Sequence, residues 1–264
     1  MNYNMNEIVG KSDIVFLTLD TLRYDVAQNL WNQQKLPNFS KWLSKQGWEK
    51  RHTPGNFTYA AHQAFFAGFL PTPIAYHKQA RLFAAKFAGS ETTLKNTYVF
   101  TEENIVAGLH ASGYKTICIG GVGFFNKQTA LSSVFPAMFE ESYWEESYGV
   151  TSKNSSEVQF KKATELLQSY TDRVFLFINI SALHQPNYFY LPGGNNTDDL
   201  QSHAAALQYV DSQLPILMQA LAARKQTFVI CCSDHGTTYG EDGFTGHRIG
   251  HEKVWDVPYL EILL

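Results

Sequence analysis

Asp20 ends the apolar run that starts at Asp13, and Asp234 and His235 end a second run that starts at Thr227, more than two hundred residues away. An apolar, β-branched run that releases an acidic residue where it stops has the pattern of a buried parallel strand. Such a strand presents its carboxylate at the carboxyl edge of a sheet, where open α/β folds build their sites. Ser233-Asp234-His235-Gly236 offers a hard oxygen and an imidazole nitrogen to one point in space. With Asp20 this mixture suits a divalent cation of intermediate hardness. Taken singly, each aspartate could instead cap the turn or helix that follows it, and Asp-His-Gly is short enough to recur by chance.

Other residues could join that chemistry. Asn56 to Ala67 is Ala-rich with apolar residues at helical spacing, and Gly68 and Pro71 stop it, so it reads as a short helix opening at Thr58. A group at that position meets free backbone amides and the positive end of the helix dipole, though an N-cap duty would explain a Thr there as well. His62 lies one helical turn later on the same face, as a site residue or as a packed helix residue. His184 follows a strand and sits beside Pro186, in a loop position that often carries function. His247 and His251, four apart, could share a helix face and a metal, but Arg248 and Gly250 interrupt any such helix. Asp211, inside a long helical pattern, reads as structural.

The elements needed to position these residues alternate along the chain. Strands are expected near 13–19, 48–52, 115–119, 174–180 and 257–264, and helices near 38–46, 58–67, 105–112, 155–170 and 200–223, the last containing Pro215. Residues 72–98 read as an irregular loop that could cover the site. Gly120-Gly121-Val122-Gly123 after a strand is neither a dinucleotide-binding nor a P-loop pattern. This alternation predicts a doubly wound, mainly parallel α/β sheet.

At 264 residues the chain is expected to form a single domain over 1–264. An apolar fraction of 44% with only 17% charged residues argues against disorder. A net charge of −3 with scattered Lys and Arg argues against nucleic acid as the main partner. No apolar run approaches the roughly 20 residues of a membrane span, and no export signal is visible at the N-terminus. Cys118, Cys231 and Cys232 all fall in apolar, strand-like runs, which reads as buried free thiols. No membrane partner and a cytoplasmic location are therefore expected.

Together the fragments resemble the alkaline phosphatase and sulfatase superfamily of metal-dependent hydrolases. Asp20-Thr-Leu-Arg-Tyr-Asp25 looks like its first metal-binding segment, and Leu36-Pro-Asn-Phe-Ser-Lys-Trp-Leu-Ser-Lys-Gln-Gly47 is similar to the helix that follows in sulfatases. Ala67-Gly68 and Leu70-Pro71 match the pairs found at a fixed interval after the family's nucleophile, and that interval leads back to Thr58. The strand ending in His184-Gln-Pro186 resembles one that ends in a substrate-binding His. Tyr209-Val-Asp211, and Gly240-Glu-Asp-Gly243 with His247 after it, are also family-like. The likeness spans nearly the whole chain in order. Two departures stand out: Thr58, Ala60 and His62 replace the C-x-P-x-R context of sulfatases, and Gly120-Gly121 stand where sulfatases place a Lys. The C-terminal subdomain of larger members is expected to be lacking, leaving a pocket that is open or completed by a homo-oligomer or partner subunit.

The resemblance implies an alkaline phosphatase-like core that hydrolyses a phosphate mono- or diester through a phospho-threonine. Asp20, Thr58, Asp234 and His235 are its implied metal ligands, with Thr58 as nucleophile. His184 and His247 are implied in catalysis, and His62, His184, His247 and His251 in substrate binding. The implied cofactor is a divalent metal, zinc or manganese ahead of calcium, with one ion favoured over two. The implied partner is a small phosphate or sulfate ester. Alternatives are a sulfatase or phosphonate-ester hydrolase, a phosphotransferase or mutase, and a non-catalytic metal-binding scaffold.

Overall fold

In a computed structural model the described residues are 3–68, 81–83, 97–99, 103–194 and 196–264, the two three-residue pieces by backbone alone. Most of the loop expected at 72–98, and Pro71 before it, lie outside the described residues. The helices are α1 Met5–Ile8, α2 Tyr24–Asn32, α3 Thr58–Ala67, α4 Ile105–Ala111, α5 Ser155–Ser169, α6 Leu200–Ala222 and α7 Glu252–Trp255. The strands are β1 Asp13–Leu19, β2 Glu49–His52, β3 Arg81–Phe83, β4 Thr97–Val99, β5 Lys115–Ile119, β6 Glu141–Tyr143, β7 Val174–Ile180, β8 Thr227–Cys232, β9 Thr238–Tyr239, β10 Thr245–Gly246 and β11 Asp256–Leu263.

Seven strands form one sheet in the order β2, β11, β8, β1, β7, β5, β6. Neighbours from β8 through β6 run parallel, whereas β11 is antiparallel to β8 and to β2. The central strand β1 is buried along its whole length and its side chains alternate between two cores. Val15, Leu17 and Leu19 meet apolar residues of α2, α5 and α6, while Ile14 and Phe16 meet those of α1, α3 and α4. Helices on both faces of a mainly parallel sheet are the doubly wound α/β architecture expected from the sequence.

Register positions the site. Thr18 stands opposite Asn179 on β7 and Cys232 on β8, so Asp20 and Asp234 leave the sheet from adjacent strands, each two residues further on. This is the carboxyl edge of the parallel strands, as the strand-end aspartates predict.

One helix differs from expectation. Residues 38–46 hold only a 3₁₀ turn at Phe39–Lys41, and the helix of this region is α2, which starts at Tyr24, three residues after Thr21. Val26, Ala27 and Leu30 give α2 its buried stripe. Leu36, Phe39 and Trp42 recur every third residue, which fits a 3₁₀ turn. Asp211 holds that turn, its carboxylate accepting from the Asn38 and Phe39 amides at 3.1 and 2.7 Å. Asp211 is thus structural, as its position inside α6 suggests. Pro215 has no N–H for the Asp211 carbonyl one turn earlier, and Asn38 Nδ2 donates to it instead at 3.0 Å, so α6 continues through the proline. Among the described residues no helix is long and apolar enough to cross a membrane.

Candidate active site

Asp20 emerges from β1 fully buried, its amide donating to the Ile180 carbonyl at 3.1 Å. Thr21 then turns the chain with φ 66, a left-handed conformation that a β-branched residue adopts at a cost of roughly 1–3 kcal/mol. Two bonds hold it there: its amide donates to Asp234 Oδ1 at 3.2 Å and its hydroxyl to the Leu183 carbonyl at 3.0 Å. The strained turn thereby ties the loops after β1, β7 and β8 together at the sheet edge.

Asp234 and His235 are also fully buried. Asp234 Oδ1 accepts from the Thr21 and His235 amides, whereas Asp234 Oδ2 and Asp20 Oδ1 have no hydrogen-bond partner. Buried carboxylate oxygens without a donor are costly unless a cation compensates them. One ligand atom each from Asp20, Asp234 and His235 lie within 4.8 Å of one another. Burial and the neighbouring Asp234 push the Asp20 carboxyl up to about 6, and burial pushes Asp234 up to about 7. Two carboxylates so placed resist joint ionisation, a penalty that a divalent cation removes. His235 donates from Nδ1 to the Gly236 carbonyl at 2.8 Å, which leaves Nε2 as the free lone pair, the orientation a metal-ligating imidazole takes. The donor set fits a divalent cation, with Asp20, Asp234 and His235 as its holders.

Thr58 completes this floor. It is the first residue of α3, and Phe57 occupies the cap position, so the Thr58 hydroxyl is free of capping duty. Its Oγ1 lies 3.4 Å from Asp20 Oδ2 and 3.3 Å from His235 Nε2. Gly55 allows the chain to approach α3 this closely, since a Cβ there would meet the Ala61 amide nitrogen at 2.4 Å.

The five remaining sequence candidates separate. His184 and His247 line the same cleft as Thr58, with rings 5.7 Å apart, and the His247 ring is 4.5 Å from that of His235. His184 donates from Nδ1 to the Gln185 carbonyl at 2.6 Å. His62 is not on the cleft. It is fully buried, with Nδ1 donating to the Thr58 carbonyl at 2.7 Å and Nε2 accepting from the Thr18 hydroxyl at 3.1 Å. Phe65, Phe66, Phe125, Phe135 and Phe177 surround its ring, and burial lowers its pKa to about 3. A neutral imidazole beneath the site supports Thr58 and has no face toward a substrate. His251 is also displaced from the cleft: it caps α7, accepting from the Lys253 amide at 3.1 Å, and its other nitrogen is 3.2 Å from Asp242 Oδ2. Asp211 lies away from the cleft and holds the 3₁₀ turn at Phe39–Lys41, as described above.

Three contributors carried no motif. Asn179 donates to Asp20 Oδ2 and to Thr18 Oγ1, both at 3.2 Å. Thr53 donates from its hydroxyl to the Asp234 carbonyl. Arg248 lines the cleft beside His247. The cleft has a volume of about 340 Å³, and its remaining described wall carries Val122, Phe124, Leu131 and Val150 together with Asn126, Thr129 and Ser132. Of the aromatic residues near 120–150, Phe124 reaches the cleft whereas Phe125 is core.

A buried two-carboxylate, one-imidazole cradle beside a hydroxyl, at the carboxyl edge of a doubly wound sheet, defines a domain of the alkaline phosphatase superfamily. A sequence model of the Sulfatase family matches residues 12–261, and the chain belongs to that family. No curated protein sequence matches it. Among solved structures, the C-terminal periplasmic domain of phosphoethanolamine transferase EptC from Campylobacter jejuni is similar at 15% identity, with a TM-score of 0.65 over 96% of this chain and 79% of that one. The corresponding EptC domain from Escherichia coli in complex with Zn has a TM-score of 0.65 at 14% identity, covering 95% and 72%. A protein in the alkaline phosphatase superfamily from Vibrio parahaemolyticus has a TM-score of 0.59 at 16% identity, covering 95% and 60%. Likeness at these identities establishes the shared fold.

Proposed function

We propose that this protein transfers the phosphoryl group of a phosphate mono- or diester to Thr58 and then to water. The observation that carries the reading is the Thr58 hydroxyl within 3.4 Å of Asp20 and 3.3 Å of His235, on the floor of a cleft and beside two carboxylate oxygens that lack donors. A divalent cation in that cradle, zinc or manganese by the donor set, would neutralise the carboxylates and acidify the adjacent hydroxyl. Thr58 directs its proton at Asp20 Oδ2, and its oxygen attacks phosphorus in line. The Oγ–P bond forms as the bond to the leaving oxygen breaks. The start of α3 turns amides and a positive dipole end toward the phosphoryl oxygens. His184 and His247 are the cleft groups able to give the leaving oxygen a proton. Burial followed by His235 and His184 lowers the His247 pKa to about 3, and an anion bound beside it would oppose that shift. Water then cleaves the phospho-threonine and restores Thr58.

Phosphoryl transfer to an alcohol is a second reading, supported by the likeness to phosphoethanolamine transferases. The test is to measure bound metal by elemental analysis and to assay the same sample on aryl phosphate mono- and diesters. We expect about one divalent ion per chain, and a loss of at least about 1,000-fold in turnover for Thr58→Ala with its fold and metal unchanged. Full activity of that variant would rule out the mechanism. Formation of a phosphorylated product on added glycerol or ethanolamine, in preference to inorganic phosphate, would favour the transferase reading.

A further inference from the structure

Among the described residues lining the cleft, Arg248 is the only Lys, Arg, Asp or Glu. It is exposed, and it holds φ 71, which is uncommon for a residue with a side chain. Its amide donates to the Asn56 carbonyl at 2.8 Å, which fixes the backbone two residues before Thr58 to the one that follows His247. The guanidinium lies 5.3 Å over the ring of Phe57, the residue that precedes Thr58. Among the described residues no carboxylate pairs with it. Strained backbone and stacking thus hold a permanent cation beside Thr58, with no carboxylate partner among the described residues, an arrangement that stability alone does not require.

We propose that Arg248 binds a non-bridging oxygen of the ester, and that the cleft selects a monoanionic phosphodiester whose second ester group is apolar. The inference rests on the phosphoryl-transfer reading above. The charge count among the described lining residues supports it: a divalent cation would be matched by Asp20 and Asp234, which leaves the one fixed positive charge of Arg248 for one negative charge on the substrate. Among the described lining residues a dianionic monoester would find no second permanent cation, and Val122, Phe124, Leu131 and Val150 make much of the wall poor company for a second charge. An apolar ester group buries that surface instead. A guanidinium suits the geometry because its planar fork binds phosphoryl oxygens in pairs.

The test compares an aryl phosphate carrying a phenyl second ester with the matching aryl monoester, on the metal-loaded wild type, Arg248→Asn and Arg248→Lys. Asn is chosen because it tolerates the left-handed backbone. We expect the wild type to favour the diester by about tenfold or more in kcat/KM, and Arg248→Asn to lose about 100-fold on it at unchanged metal content. Arg248→Lys should retain more than Arg248→Asn, and guanidinium ion should restore part of the loss, neither of which a purely structural role would produce. Activity of Arg248→Asn within threefold of wild type, or a preference for the monoester, overturns the proposal. If the wild type cleaves neither ester, the phosphoryl-transfer reading fails, and calorimetric binding of dibutyl phosphate then decides on Arg248. Binding about tenfold weaker in Arg248→Asn upholds the contact, and equal binding rejects it.

Discussion

Asn179 shows how much of the site depends on one neutral side chain. Its amide hydrogens go to Asp20 Oδ2 and Thr18 Oγ1, while its own oxygen accepts from the Val122 amide at 3.0 Å. Thr18 in turn donates to His62, which donates to the Thr58 carbonyl. One chain of hydrogen bonds therefore sets both the carboxylate rotamer of Asp20 and the seat of Thr58. The approach that makes this possible needs Gly121, where a Cβ would lie 2.3 Å from the Asn179 carbonyl oxygen. Partners that orient metal ligands contribute about 10–100-fold to metal affinity or activity. Asn179→Ala should weaken metal binding by that order, read by titrating metal back into chelated protein. An unchanged affinity would show that Asp20 needs no such support. The sequence marks Asn179 only as a polar residue within an apolar strand, and its partners are 159 and 161 positions away, so no local pattern reveals them.

At the scale of elements, the 3₁₀ turn at Phe39–Lys41 is held from outside. Asp211 supplies acceptors to two of its amides, and Asn38 returns a bond to the carbonyl that Pro215 leaves open. Asp211→Ala would strand those amides in a partly buried site and should destabilise the protein by about 3 kcal/mol, measured by urea unfolding. A loss below about 1 kcal/mol would mean that water replaces the carboxylate. This is also where local pattern misled. Lys35-Leu-Pro-Asn38 and Gly47 have the form of helix start and stop signals, yet the apolar residues between them recur at every third position. The strands around the site were legible because continuous β-branched runs have few alternatives to a doubly covered sheet. The edge strand β2, with Glu49, Lys50, Arg51 and His52 all exposed, carries the charge that keeps a sheet edge from pairing further.

Across the whole molecule, buried histidines couple stability to pH. His203 of α6 is fully buried, between the Arg23 amide and the Tyr239 hydroxyl. Burial, then the Arg23 charge, lowers its pKa from 6.5 to about 3. The folded protein therefore refuses a proton that the unfolded chain accepts below about pH 6.5. The stabilisation is fully present above that pH and is lost as pH falls toward 3. The slope is roughly 1 kcal/mol per pH unit for each such group in that window. Urea unfolding between pH 7 and 4.5 should show this decline, while the His203 ring resonance in the folded state stays constant. A ring signal that titrates near pH 6.5 would contradict the burial account.

By itself the sequence determined the strand-end carboxylates Asp20 and Asp234, the imidazole of His235 and the helix-opening Thr58. Each is written in a local signal: an apolar run, a breaker, a helical period. The order of the strands follows less directly, since β1 lies between β7 and β8, which are remote from it in the chain. Only the tertiary structure decided which histidines meet the cleft. His247 and His251 are four positions apart, yet one lies beside His235 and the other caps α7 against Asp242. His62 shares a helix with Thr58, but the ring cluster of the second core encloses it. Arg248 gained its place from a left-handed backbone and a neighbouring phenyl ring. Period and capping act over a few residues, whereas the direction in which a loop side chain points is set by partners that only the folded sheet brings within reach.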